Sequence, residues 1–178
     1  MIPVLYEGTE TEFTSQGLGS LSDATACTIS EEINNTYELE MNYPMTGVHF
    51  SDIQVGRIIL ATPAPRKESE PFSIYKISKP IDGIVTIYAE HISYRLSYIP
   101  VKPFSASNCY GALNGCVENS LEDNPFTVWT DKALNIDFSF NKPQSFRLCL
   151  GGVEGSILDI YRGEYEFNRF AVKLHTHR

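Results

Sequence analysis

The chain has 178 residues, 42% hydrophobic and 20% charged, enough to bury a core in one medium domain or two small ones and unlike a disordered or fibrous composition. Its 14 Lys and Arg against 22 Asp and Glu leave a net charge of −8, which argues against a DNA reader, because such proteins draw affinity from counterions released at a basic patch. No apolar run reaches the roughly 20 residues that cross a bilayer, and Met1-Ile2-Pro3 opens without the basic and apolar stretches of a secretory signal, so synthesis and folding in a cytoplasm are expected.

The first hundred residues read as strands. Thr28 to Ile33 is an extended run, and in Tyr37-Glu38-Leu39-Glu40-Met41-Asn42-Tyr43 apolar and polar residues alternate strictly, the period of a half-buried strand that Pro44 ends. Asn34-Asn35 between them suits a two-residue turn, since Asn tolerates positive φ, and that turn sets Glu31 opposite Glu38. Arg57 to Ala61 is a further apolar strand, followed by a polar loop from Thr62 to Pro71 with three prolines. Phe72 to Ile81 and Ile84 to Ala89 flank Asp82-Gly83, a type I′ turn signal that places Ile77 opposite Tyr88. About six strands with this punctuation suggest a small antiparallel barrel or sandwich.

The stiff connector Pro100-Val101-Lys102-Pro103 marks a domain boundary, because each proline fixes φ and keeps its predecessor out of the helical region. Beyond it Cys109, Ala112, Leu113, Cys116, Val117 and Leu121 form one apolar stripe at helical spacing, capped by Ser107 or Asn108. Strands are expected at Ile136 to Phe140 and Phe146 to Leu150, a short helix near Ser156 to Arg162 ended by Gly163, and a last strand through Phe170, Val172 and Leu174. That strand runs into His175-Thr176-His177-Arg178 with nothing after it, so the chain is expected to be the front piece of a longer protein.

Charge is uneven along the chain. Nine acidic residues, Glu7 through Asp52, precede the first base, Arg57, whereas 13 acids and 14 bases follow from there. A solvated face explains this, and so does a surface built to repel a polyanion. Chemistry is sparse. Cys27, Cys109, Cys116 and Cys149 lie 82, 7 and 33 residues apart, outside paired zinc-ligand spacings, and read as buried small hydrophobes. His175 and His177 share one face of an extended segment but lack announced co-ligands, and read as exposed and uncoordinated. Gly151 to Ser156 has neither the phosphate-loop lysine nor GxGxxG spacing and reads as a strand-to-helix turn. His91 lacks a GxSxG partner and reads as a structural histidine. No catalytic residue, cofactor site or metal ligand is assigned.

Three stretches, ISEEINNTYELEMNYP (29–44), PFSIYKISKPIDGIVTIYAEHISYRLS (71–97) and LGGVEGSILDIYRGEYEFNRFAVKLHTHR (150–178), resemble the N-terminal region of phage minor structural proteins of the prophage endopeptidase tail, or tail-associated lysin, family. The resemblance implies a mainly β hub-like fold: a small antiparallel β-barrel over residues 1–101, then a mixed α/β domain over 104–178 that later chain segments complete. It implies a baseplate hub that closes the tail tube as a homotrimer at the virion tail tip. Such a hub assembles in the bacterial host cytoplasm, contacts distal tail and tape-measure proteins, and meets DNA only as passing cargo. On that view Glu31, Glu32, Glu38 and Glu40 face an acidic channel. Any peptidoglycan cleavage is expected C-terminal to residue 178. A peptidoglycan hydrolase with its site in or just after this segment is the alternative reading, and a carbohydrate-binding module drawing on the 21 aromatic residues is the third.

Overall fold

Strands with one apolar and one polar face build the first part of the chain. The computed structural model describes residues 2–64 and 67–176, and the chain divides into two units, Met1–Ile92 and Ser93–Arg178. In the first, β1 (Val4–Tyr6), β2 (Gly19–Ser20), β3 (Ala26–Glu31), β4 (Tyr37–Pro44), β5 (Ile58–Ala61), β6 (Glu70–Ile77) and β7 (Ile84–His91) form one antiparallel sheet. The spatial order is β2-β1-β5-β6-β7-β4-β3. The sheet curls into a half-barrel, with β2 and β3 each paired on one side among the described residues. The alternation read in β4 is real: Tyr37, Leu39, Met41 and Tyr43 are buried, and the residues between them are half-buried or exposed. They pack with Phe72, Ile74, Val85, Ile87 and Ala89.

Both hairpins form, each one residue out of the expected register. Between β3 and β4 the connection is the five residues 32–36, closed by bonds from the Glu32 amide to Thr36 O and from the Asn35 amide to Glu32 O, with Asn34 at φ 56°. Glu31 therefore faces Tyr37, and Ser30 faces Glu38. At the second hairpin Asp82 and Gly83 take φ 49° and 75°, as the I′ turn requires, and Ile81 and Ile84 exchange both amide bonds. Tyr88 nevertheless faces Lys76, not Ile77. Pro80 has no N–H to extend the ladder, and the Ser78 hydroxyl instead accepts the Thr86 amide. A second irregularity between Ile74 and Lys76 absorbs another residue, and such bulges bend a strand and increase its twist.

In the second unit β8 (Pro100–Val101), β9 (Ser105–Ala106), α1 (Cys109–Glu118), β10 (Thr127–Thr130), β11 (Phe138–Ser139), β12 (Gln144–Ser145), α2 (Phe146–Leu150), α3 (Ile157–Tyr161), β13 (Glu164–Asn168) and β14 (Ala171–His175) follow in turn. The sheet β10-β14-β13 has a parallel β10–β14 pair and an antiparallel β14–β13 pair. Small ladders join β9 to β11 and β8 to β12. The proline connector is thus drawn into the second unit, where Pro100 faces Ser145.

Helix α1 carries the expected stripe. Cys109, Ala112, Leu113 and Cys116 are buried, and the Asn108 side chain accepts the Gly111 amide at 2.7 Å. Leu121 lies beyond the end of the helix and is 52% exposed. Phe146 to Leu150 is a helix, not a strand. Ser145 caps it, and burial of Phe146, Cys149 and Leu150 follows the i, i+3, i+4 spacing of a helix face. The glycine stretch from Gly151 consequently joins two helices, and Ser156 caps the second. The expected strand from Ile136 shrinks to Phe138–Ser139, and β10 and β13 were not anticipated.

Replacing the α1 cap, Asn108→Ala, is expected to destabilise the second unit by about 1 kcal/mol. The check is the shift in urea midpoint followed by circular dichroism.

Candidate functional site

The residues with most potential chemistry lie on and around β3, β4, β6 and β7. Leu5, Ile59, Phe72 and His91 are successive partners across β1, β5, β6 and β7. Tyr37 of β4 continues the row, its ring stacked on the His91 imidazole at 4.4 Å, and Phe72 meets both rings edge-on. Glu70, two residues before Phe72 and therefore on the same face, brings Oε2 to 3.1 Å from His91 Nε2. The two side chains are 7% and 0% exposed. Burial, together with the nearby Glu70 and Glu31 carboxylates, pushes the Tyr37 hydroxyl far above its ordinary range.

A histidine with a carboxylate at 3.1 Å has the geometry of an oriented general base. Here the imidazole is fully buried and the carboxylate nearly so. The pair is a hydrogen-bonded device inside a core, where buried polar groups need partners.

The opposite face of the same strands is polar. Glu38 lies directly across from Glu90, and Glu40 across from Tyr88, whose ring lies 5.1 Å from the Lys76 ammonium. Burial and the Glu38 charge raise the Glu90 carboxyl above its ordinary value. Sequence reading missed Glu90, whose position opposite Glu38 depends on the β4–β7 pairing. The four expected acidic residues divide. Glu38 and Glu40 share this polar face. Glu31 projects on the other face and pairs with Lys67 at 2.7 Å. Glu32 sits in the β3–β4 connection and accepts the Asn35 side-chain amide.

Two other expectations change. Cys27 is exposed, whereas Cys109, Cys116 and Cys149 are buried. Cys116 and Cys149 are brought together, and the Cys149 contact, with burial, pushes the Cys116 thiol above its ordinary value. His175 is 16% exposed rather than free, with Nε2 3.2 Å from Glu166 Oε2 and the ring 5.2 Å from Trp129. His177 lies outside the described residues. Asp131 accepts both the amide and the hydroxyl of Thr176, bonds that hold its carboxyl below the ordinary range. Among the described residues no three His, Cys, Asp or Glu side chains converge as a metal site, and no helix is long and apolar enough to cross a membrane.

No protein-family model and no curated protein matches the chain. Among solved structures it is similar to the crystal structure of prophage tail protein gp18 from Listeria monocytogenes EGD-e, with a TM-score of 0.69 over 98% of this chain at 13% identity. The likeness is one of fold, and it agrees with the mainly β architecture expected from the resemblance. The match covers 50% of the gp18 chain, so this chain spans about half its length.

Two predictions follow from this geometry. His91→Ala removes the imidazole from between Tyr37, Phe72 and Glu70, and is expected to cost about 3–5 kcal/mol in chemical unfolding, the range for breaking a buried pair from one side. Glu90→Gln is expected to stabilise at pH 7 by about 0.2–1 kcal/mol, the scale of like charges facing each other across strands. A carboxyl whose folded pKa is raised favours folding at low pH and loses that contribution as pH rises through the folded value. The gain from Glu90→Gln should therefore shrink as the pH is lowered past the carboxylate range, which thermal melts at pH 4 and pH 7 will show.

Proposed function

We propose that the chain is a structural component of a phage or prophage tail, the front part of a tail-tip or baseplate hub. It forms a homotrimeric ring that closes the tail tube and supports attachment and DNA ejection. The observation that carries this reading is the fold likeness to a prophage tail protein over 98% of the chain. Three sequence blocks pointing the same way support it. Distal tail and tape-measure proteins are its expected neighbours, and the virion tail tip its expected location.

A role without catalysis in this segment is supported by the enclosure of His91. The polar face supports a channel lining. Glu38 and Glu90 are held opposite one another at a cost in stability, and an acidic wall keeps a DNA backbone from adhering as it passes. In this reading Glu38, Glu40 and Glu90 face the channel, while Glu31 and Glu32 contribute at its rim.

Immunogold electron microscopy of purified particles of the encoding phage, with antibody raised against this chain, is expected to label the distal end of the tail. Label on the capsid, or none on the particle, would overturn the assignment. The hydrolase alternative is checked with the same purified chain, which is expected to leave the turbidity of a peptidoglycan suspension unchanged.

A further inference from the structure

Three of the four cysteines lie in the core of the second unit. Cys109 and Cys116 are on α1 and Cys149 is on α2, all fully buried and none in a disulfide. The main chain brings two of them to one place. Val101 of β8 pairs with Ser120 on one side and with Gln144 of β12 on the other, so the segment that leaves α1 and the segment that enters α2 flank a single strand. Bonds from the Leu121 amide to Pro100 O, the Lys102 amide to Asn119 O and the Phe146 amide to Ile99 O fasten both sides. Helices α1 and α2 pack on each other. The Cys116 and Cys149 sulfurs, each on the buried face of its helix, are within hydrogen-bonding reach of one another. Cys109 stands seven residues from Cys116, about 10 Å along the helix axis, and its sulfur lies 3.9 Å from Thr130 Oγ1 instead.

The two sulfurs sit in unlike surroundings. The Cys116 thiol donates to the Ala112 carbonyl at 3.3 Å, a bond that needs its proton, whereas the Cys149 sulfur accepts the Gln144 side-chain amide at 3.3 Å, a bond that strengthens when the proton leaves. Contact with Cys116, together with the Gln144 amide, accordingly holds the Cys149 thiol below its ordinary value, and contact with Cys149, with burial, raises Cys116. Of such a pair, the thiol that ionises attacks first and its protonated neighbour resolves. Helix α2 has only five residues, too few for a helix to hold by itself, so local opening admits a small oxidant to Cys149 at less cost than global unfolding.

We propose that Cys116 and Cys149 are a redox site, a dithiol that a low-molecular-weight disulfide such as oxidised glutathione converts into a bridge locking α1 to α2. The Cys149 thiolate attacks one sulfur of the oxidant, forming a mixed disulfide and releasing one small thiol. Cys116 then gives up its proton and displaces the second. Two electrons and two protons thus pass from the protein to the oxidant, and the products are one protein disulfide and two small thiols. The bridge joins residues 33 apart across a segment that carries β10, β11 and β12, and a cross-link of that kind stabilises by restricting the unfolded chain. Thiols remain reduced in a cytoplasm and oxidise outside it, so the bridge is expected to form after folding. The assignment stands on this chain's own core and is independent of the tail reading.

The test incubates the purified, reduced chain with excess oxidised glutathione, blocks the remaining thiols with iodoacetamide in urea and maps the peptides by mass spectrometry. A peptide pair joined through Cys116 and Cys149, with Cys109 alkylated, is expected. The oxidised chain is expected to melt about 5–15 °C above the reduced one, the scale of a bridge of this span in a unit of this size, and to return to the reduced value in dithiothreitol. Cys116→Ser is expected to trap glutathione on Cys149, and Cys149→Ser to leave Cys116 unmodified. Alkylation of both Cys116 and Cys149 after the incubation overturns the proposal, as does a bridge from either to Cys27 or Cys109. An oxidised chain that melts no higher than the reduced one overturns the lock, and glutathione on Cys116 of the Cys149→Ser variant overturns the order of attack. The peptide map uses the wild-type chain, so it decides the proposal even where a serine variant fails to fold.

Discussion

A fully buried histidine and a glutamate whose side chain is only 7% exposed must be satisfied chiefly by the strands around them. His91 closes β7 and Glu70 opens β6, and their 3.1 Å contact exists only if these two strands pair so that Phe72 faces His91. Tyr37 then has to stack on the imidazole, which sets the position of β4. Burying an imidazole and a carboxylate apart from each other would leave polar atoms without compensation, a cost of several kcal/mol. The pair thus penalises any slip of β4, β6 or β7, and the apolar contacts around it supply most of the favourable energy.

The same constraint organises the departures from ideal pairing. The register that joins Phe72 to His91 differs by two residues from the one that joins Ile81 to Ile84 at the turn, and the bulges between Ile74 and Lys76 and around Pro80 take up the difference. Bulges add twist and curvature, so a sheet pinned at both its turn and its buried pair curls. Its far edge, β3, consequently carries core-side residues that its own unit leaves in solvent. The second unit solves a different problem. Its helices are short, and each of the three begins at a side chain that accepts a backbone amide, Asn108, Ser145 and Ser156. Buried Tyr161 sends its hydroxyl to the Ile136 carbonyl in a loop, and half-buried Tyr165 sends its hydroxyl to Leu150 at the end of α2, so side chains anchor a loop and a helix end.

The acidic surface shows how a compositional signal becomes spatial. Four glutamates between Glu31 and Glu40 divide between two faces and a loop because strand side chains alternate, and the face that collects Glu38 and Glu40 recruits Glu90 from 50 residues further along. Like charges held across a ladder do not help the fold. The excess of acid is confined to the first unit, residues 1–92 holding 13 carboxylates against 5 Lys and Arg, whereas the second unit is neutral.

Local patterns in the sequence determined a good deal. Strict alternation specified β4, Asp82-Gly83 specified its turn, and helical spacing with an Asn cap specified α1, because each depends on a few neighbouring residues and on backbone sterics. The same reading misplaced both hairpin registers, since loop geometry over residues 32–36 and the missing N–H of Pro80 act over a single residue that periodicity does not resolve. It took Phe146 to Leu150 for a strand, a run of five too short for its period to distinguish the two. Only the tertiary structure decided that His91 meets Glu70, that Glu38 meets Glu90, that β10 lies parallel to β14 and that β3 is left uncovered. Those facts join residues far apart in the chain, and only the burial of a common core selects which distant strands become neighbours.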